Sequence, residues 1–433
     1  MGRFSAIWCG QVVTLVGNSV LRFSLVIQAW TVEQQATQVV ALSLCALLPQ
    51  MLLSPTAGAL VDRLRKRTAL QLADLGGLVA VGGMAAVYFL GDLHLWQIYL
   101  TVALLGAAAA FQFPALSSAV PLLVEKEQLQ RANGLLATAK SVADVGGPAL
   151  AGLLVVTGGL GVVLWIDLIS FVLALVTVQL VRMDGDLPGE MGSRKRLGAD
   201  SLEGLRYLFA HPSLRGLILV FFTVNLVMVF GFAVVQPMIL ARTGSDVSVL
   251  ASVNAGIGAG GIAGGLLLAA WGGPKNRVRG MMIGVVGMCL SAQIVMSAVS
   301  GIVAWTAAML IGALLMPIVN GSMQSIIQTK VPEDRRGRVF GAVMFVSQIS
   351  SPVAMAFSGP LADRVFEPHA AAGTGLPGLL SPLVGTGPGS GMAAMLLIAG
   401  LLGAGAALVG LALRAVRDID VLTPDLDKQP AEG

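Results

Sequence analysis

The chain has 433 residues, of which 56% are hydrophobic and 12% are charged, and its formal net charge is +4. Soluble domains carry about 25% charged residues, so this composition excludes a water-soluble globular protein. The basic residues fall in short loops between apolar segments, where membrane orientation accounts for them. The positive charge therefore does not indicate a nucleic-acid partner.

Twelve apolar segments follow one another along the chain, each long enough to cross the roughly 30 Å hydrocarbon core as a helix. The predicted spans cover approximately 7–30, 39–61, 69–90, 97–123, 134–157, 160–182, 214–240, 248–271, 280–299, 302–329, 338–365 and 391–414. The predicted fold class is thus an all-α polytopic membrane protein. Lys and Arg are concentrated at the N-terminus, after the even-numbered spans and in the tail. This asymmetry predicts a multi-pass protein of the cell membrane with both termini in the cytoplasm.

A polar stretch divides the spans into six and six. We expect an N-terminal six-helix half at 1–182, a cytoplasmic linker with an amphipathic helix at 183–213, and a C-terminal half with a short tail at 214–433. The halves repeat at an offset of 207 residues, so that Gly58 corresponds to Gly265. Two parallel halves of this kind are typical of secondary transporters, whose substrate sites lie near the membrane midplane.

The loop after the second span reads GALVDRLRKR, residues 58–67. It resembles the signature loop of the major facilitator superfamily, with matches at Gly58, Asp62, Arg63, Lys66 and Arg67. The resemblance implies a twelve-helix facilitator fold and a conformational gate, in which the acid contacts the positive N-terminal end of helix 11. The bases are then expected to bind the linker, neighbouring acids or anionic lipid. The alternative is a loop that serves membrane orientation alone.

Three further segments resemble one branch of that superfamily. The segments LEGLRYLFAHPSLRGL at 202–217 and VPEDRRGRVFGAV at 331–343 resemble the enterobactin and macrolide exporters. The segment DVGGPALAG at 144–152 is similar to part of the antiporter motif on helix 5 and keeps Gly147, Pro148 and Gly152. The resemblance implies export as the direction of transport.

The sequence departs from this branch at the positions expected to handle protons. Helix 4 lacks the buried arginine of the proton-relay motif, and Asn18 stands where relatives often carry Asp. An asparagine side chain cannot carry a proton. Proton coupling must therefore use other acids, or it is absent.

Charged side chains inside a span cost about 2.5–3.5 kcal/mol on insertion scales, so they usually face a cavity. Arg22 lies near the centre of the first span and is expected to contact either the substrate or a buried acid, Asp144 or Asp167. Lys140 and Asp144 are four residues apart and share a helix face, so they form a local pair or Asp144 is the titrating group. Asp167 is expected to be a structural acid near the outer end, and Asp74 a partner for the bases of the loop.

Polar residues recur near the midplane of the helices that line the cavity in facilitators. They are Asn18, Gln112, Asp144, Asn225, Asn320 and Gln348. Aromatic and Met side chains close to them predict an amphipathic cavity that suits a large, partly apolar organic molecule.

The sequence thus predicts a monomeric exporter of an amphipathic small molecule in the lipid bilayer, with protons as the expected coupling ion. An uncoupled facilitator or importer is the first alternative, and a non-transporting receptor or assembly protein is the second. The three His residues are scattered in loops, so we expect no metal, no cofactor and no enzymatic activity.

Overall fold

The computed structural model describes residues 2–181, 183, 206–210 and 212–417, and it contains only helices, turns and loops in that part of the chain. Long apolar segments become helices because a bilayer offers no water to unpaired backbone groups. The helices of the first half are α1 (Gly2–Glu33), α2 (Ala36–Arg63), α3 (Lys66–Leu90), α4 (Leu95–Leu123) and α5 (Leu129–Leu180). A single 3₁₀ turn at Lys126–Gln128 precedes α5.

Helix α5 is two membrane spans joined at a sharp break. Its 52 residues correspond to about 78 Å at 1.5 Å per residue, which is more than twice the thickness of the hydrocarbon core. The break lies at Gly159, where φ is 66°, a conformation that glycine adopts without steric cost. We call Leu129 to residue 158 the first arm and residues 160 to Leu180 the second arm, as the predicted spans 134–157 and 160–182 anticipated.

The second half contains more short helices than the hydropathy pattern predicted. The helices of the second half are α6 (Pro212–Phe232), α7 (Val235–Thr243), α8 (Val247–Trp271), α9 (Arg277–Met288), α10 (Met296–Ala298), α11 (Ile302–Lys330), α12 (Glu333–Leu361), α13 (Glu367–Ala371), α14 (Gly375–Leu379), α15 (Ser381–Val384), α16 (Ser390–Ala412) and α17 (Arg414–Arg417). Two π-helical turns, Cys289–Val295 and Ala362–Phe366, continue α9 and α12. Residues 206–210 are also helical, and the rest of the linker, for which we expect an amphipathic helix within 183–213, lies largely outside the described residues.

The seventh predicted span, 214–240, is broken into α6 and α7. Pro237 explains the break, because a proline lacks the N–H that would bond to the carbonyl of Ala233 and its ring crowds that carbonyl. The π turn after α9 carries Gln293, which is fully buried and donates a 3.1 Å hydrogen bond to the backbone carbonyl of Met228 in α6. Gln293 is therefore a helix–helix contact.

The described residues contain eleven helices long and apolar enough to cross a membrane. Because α5 supplies two spans, the predicted twelve-helix all-α fold is confirmed. The chain forms two compact units: the first contains α1 to α5 and also Ser245–Ala251, which includes the start of α8, and the second contains the rest of α8 and the other helices. Within the first unit, α1 packs against both arms of α5, while α2 and α3 pack against α4.

Candidate functional site

A polar stripe runs along one face of α1. Gln11, Asn18 and Arg22 are spaced by seven and four residues, which places them on the same side of the helix. The stripe meets two separate carboxyl groups of the first unit. Gln11 contacts Asp74 on α3, and Arg22 lies within electrostatic reach of Asp167 on the second arm of α5.

The cluster around Arg22 contains three polar atoms without partners. Asp167 is 0% exposed; its Oδ1 accepts a 3.2 Å hydrogen bond from the Ser170 hydroxyl, and its Oδ2 has no hydrogen-bond partner. Arg22 Nε and Asn18 Oδ1 are likewise buried and unpaired. Buried polar atoms are normally hydrogen-bonded, so this cluster can accept water, a proton or polar atoms of a ligand.

A glycine permits the close approach of α1 to Asp167. A Cβ at Gly17 would lie 2.5 Å from Oδ1 of Asp167 and 2.9 Å from the Ser170 hydroxyl. Any larger residue at this position would displace the carboxyl group. The buried acid and the glycine opposite it thus form one structural unit.

Lys140 and Asp144 form the local pair that their spacing predicted. Lys140 Nζ lies 3.1 Å from Asp144 Oδ2, and the two side chains are 74% and 60% exposed. Asp144 also lies within electrostatic reach of Arg22. Exposed charges within a span avoid lipid because of the insertion cost, so we expect this face of α5 to border a polar space. The substrate or coupling role predicted for the pair stays a prediction.

The expectation for Asp74 was wrong. Asp74 is 0% exposed and accepts hydrogen bonds from Gln11 Nε2 at 2.8 Å and Gln112 Nε2 at 3.2 Å. Gln112 Nε2 also donates to Gln11 Oε1 at 3.0 Å, which closes a triangle between α1, α3 and α4. Asp74 lies two turns into α3 and points into the bundle, so it does not reach the loop.

Two bases of the loop between α2 and α3 bind helix ends. Lys66 Nζ donates a 3.1 Å hydrogen bond to the carbonyl of Val61 in the last turn of α2, and Arg67 donates to the carbonyl of Gln179 at the end of α5. The last carbonyls of a helix lack intrahelical partners and attract cations. Arg63 is exposed.

Two residues of the predicted gate give no test of it. Gly58 lies in a region where an added Cβ would meet no atom within 4 Å. The side chain of Asp62 lies outside the described residues. The gate function of the loop stays a prediction.

The antiporter-like segment lies where the first arm of α5 meets α1. A Cβ at Gly147 would lie 2.1 Å from the Ser19 hydroxyl oxygen, so only glycine allows this contact. Pro148 follows inside the helix, and Gly152 is buried. This is the close packing through small residues that membrane helices use.

The polar residues predicted for the second half lie apart from one another in its helices. Asn225 in α6 is half-buried, while Asn320 in α11 and Gln348 in α12 are exposed. Within the described part of the chain, none of the three makes a hydrogen bond. Their predicted role in substrate binding is untested.

Comparison with known proteins assigns this arrangement to a family. The family model of the Major Facilitator Superfamily matches residues 7–355. The chain belongs to this superfamily. It is therefore a multi-pass membrane transporter, as the loop at 58–67 predicted.

Several characterised facilitators resemble the chain along most of its length. Macrolide efflux protein A of Streptococcus pyogenes is 26% identical over 376 residues, which cover 85% of this chain and 91% of that protein. The multidrug efflux pump Tap of Mycolicibacterium fortuitum is 22% identical over 360 residues, covering 80% of this chain and 86% of that protein. Both similarities agree with the predicted exporter branch.

Solved facilitator structures share the fold. A bacterial homologue of the iron transporter ferroportin in an inward-facing state has a TM-score of 0.68 and 15% identity, covering 94% of this chain and 98% of that chain. A bacterial homologue of the human lysosomal transporter Spinster has a TM-score of 0.66 and 14% identity, covering 100% and 99%. At such identities the likeness concerns the fold alone.

Proposed function

We propose that this facilitator exports an amphipathic small organic molecule by alternating access and that a proton gradient drives the export. The observation that carries the proposal is the set of charged side chains inside the spans of the first unit, namely Arg22, Lys140, Asp144 and Asp167. Each is costly in a bilayer. Together with the unpaired polar atoms buried at Asn18, Arg22 and Asp167, these charges support a cavity that binds and moves a polar group of a substrate.

The names of the relatives support the direction and the class of substrate. Relatives named for macrolide efflux and multidrug efflux cover 85% and 80% of this chain. A macrolide is a large apolar ring with many oxygen atoms. The unpaired Nε of Arg22 is a donor suited to such an oxygen.

The remaining polar residues supply further contacts in this proposal. As the sequence predicted, Asn18, Gln112, Asn225, Asn320 and Gln348 are expected to bind substrate. The gate loop with Asp62 is expected to control access. An uncoupled facilitator or importer is the competing proposal, and the asparagine at position 18 favours it.

Transport in proteoliposomes tests the proposal. Purified protein is reconstituted, and accumulation of radiolabelled erythromycin is followed with and without an imposed pH gradient, using protein-free liposomes as the control. We expect accumulation above the equilibrium level only with the gradient. Equilibration without accumulation would favour the uncoupled facilitator, and an absence of any transport of a panel of amphipathic drugs would contradict the export proposal.

A further inference from the structure

Asp74 carries a buried carboxyl group that has no part in the proposed export mechanism. It lies in the first unit, 0% exposed, among α1, α3 and α4. Its polar contacts in the described part of the chain are the amide groups of Gln11 and Gln112. One turn further along α3, Gly77 packs against the apolar ring of Phe171 on the second arm of α5.

Among the residues that the structure describes, the side-chain partners of this carboxyl group are neutral. The cations nearest along α3, Lys66 and Arg67, bond to Val61 and Gln179. Of the residues packed against Asp74, α1 contributes the neutral Gln11 and α4 the neutral Gln112. A buried charge needs a paired and hydrogen-bonded counter-charge to be stable, and two neutral amides supply only the hydrogen bonds.

Asp74 and Asp167 lie at equal distances from opposite ends of their spans, both beside α1. Asp74 lies eight residues from the start of α3, and Asp167 lies eight residues from the break at Gly159. Each is therefore about 12 Å from its own end of the span, and the two ends are opposite. Along α1, Asp74 lies at the level of Gln11, and Asp167 lies at the level of Gly17.

We propose that Asp74 is a proton-binding residue of the transport cycle, and that its protonation is communicated through the triangle with Gln11 and Gln112. The proposal rests on the proton-driven export proposed above. An O–H bond forms on the carboxylate when a proton enters from one aqueous phase, and it breaks when the proton leaves to the other. A protonated oxygen donates where it previously accepted, so an amide of Gln11 or Gln112 must rotate. Gln112 is one of the residues expected to bind substrate, which couples proton and substrate.

Proton release by the purified protein tests this directly. Erythromycin is added to the protein in weakly buffered detergent, and the released protons are followed with a pH dye. We compare the wild type with Asp74→Asn, Asp144→Asn and, as a matched control, Asp92→Asn in the exposed loop between α3 and α4. We expect release from the wild type and Asp92→Asn, and loss of release in Asp74→Asn although the variant still binds erythromycin.

The outcomes separate this proposal from the function on which it rests. Release of protons by Asp74→Asn at the wild-type level overturns the role of Asp74, and loss of release in Asp144→Asn alone assigns the proton to Asp144 instead. An absence of release from a wild type that binds erythromycin overturns proton coupling and the role of Asp74 together.

A conservative variant covers the case in which Asp74→Asn does not fold. Asp74→Glu keeps a titratable group in a changed environment, so we expect release with a shifted pH midpoint. Infrared difference spectra should show the carboxylic acid C=O band of the wild type displaced in this variant. An unchanged midpoint and an unchanged band would overturn the proposal.

Discussion

Arg22 and Asp167 lie within electrostatic reach of each other, yet no direct ion pair joins them in the described part of the chain. The buried Nε of Arg22 and the Oδ2 of Asp167 are both left without hydrogen bonds. A pair held for stability alone would satisfy these atoms, because an unpaired buried charge is strongly destabilising. The two unpaired atoms are therefore consistent with the proposed interaction of Arg22 with a substrate.

Replacement of Arg22 is the sharpest test at this scale. We expect Arg22→Ala to raise the KM for erythromycin about tenfold or more, because a hydrogen bond to a charged group contributes roughly 1.5–3 kcal/mol. The matched control is Arg65→Ala in the exposed turn between α2 and α3, which should leave KM unchanged. Equal, small effects of both substitutions would remove Arg22 from the site. Loss of Arg22→Ala from the membrane would support a structural ion pair.

At the scale of elements, the helices of the first unit approach one another through glycines. The first arm of α5 contacts α1 at Gly147, where a Cβ would lie 2.1 Å from the hydroxyl oxygen of Ser19. Helix association in lipid depends on such close packing, because lipid tails are as apolar as the side chains they would replace. The antiporter-like segment thus has a packing role that its sequence resemblance did not reveal.

Two neighbouring glycines allow a matched test of this contact. We expect Gly147→Ala to destabilise the protein by about 1–3 kcal/mol, the usual cost of overpacking, while Gly146→Ala has open space and should be neutral or slightly stabilising. Thermal unfolding of the purified variants in detergent gives the measurement. Equal melting temperatures for both variants would contradict the proposed close contact.

The start of α16 is held by a side chain from α13. Glu367 accepts hydrogen bonds from the backbone N–H groups of Met392 at 2.8 Å and Gly389 at 3.3 Å. A carboxylate at this position pairs with orphan N–H groups and with the positive end of the helix dipole. Nothing in the local sequence around residue 367 indicates this contact, because its partner lies 25 residues away.

Removal of the charge tests the contact. We expect Glu367→Gln to lower the free energy of unfolding by about 1 kcal/mol, the scale of a lost cap, with little effect on transport. Glu127→Gln, in an exposed turn before α5, is the control and should change neither property. A melting temperature for Glu367→Gln equal to that of the control would contradict the capping role.

At the scale of the whole molecule, orientation in the membrane is set by the distribution of Lys and Arg over the loops. In the first unit, α1 and α3 begin at the same end, because α2 runs between them in the opposite direction. The basic turn at residues 64–65, between α2 and α3, lies at that end. The orientation therefore depends on a few charges in short loops. Measuring on which side of the membrane one loop lies determines the side of every other loop.

Reporter fusions measure that orientation. We expect green fluorescent protein fused after the C-terminus to fluoresce, since it matures in the cytoplasm. Alkaline phosphatase fused in the loop after α3, near Asp92, should be active because it requires the outer side. Phosphatase activity from a fusion in the loop after α2, with none after α3, would reverse the predicted topology.

The sequence by itself determined the class of protein, the twelve spans and the boundary between the spans 134–157 and 160–182, where the structure has the break at Gly159. Each depends on composition within a window of about 20 residues or on one local conformation. The contact between Lys140 and Asp144 was also predictable, because residues four apart on a helix are neighbours. The family followed from the spacing within the loop at 58–67.

Only the tertiary structure decided which buried groups meet. Asp74 contacts Gln11 and Gln112, which are 63 and 38 residues away, and Arg67 contacts Gln179, which is 112 residues away. Such contacts depend on the rotation of each helix about its axis. In lipid, apolar side chains serve equally well toward the bilayer and toward a neighbouring helix, so hydropathy does not reveal that rotation. The contact of Gln11 and Gln112 with the buried Asp74 is therefore seen only in the tertiary structure, where small residues let the helices pack closely.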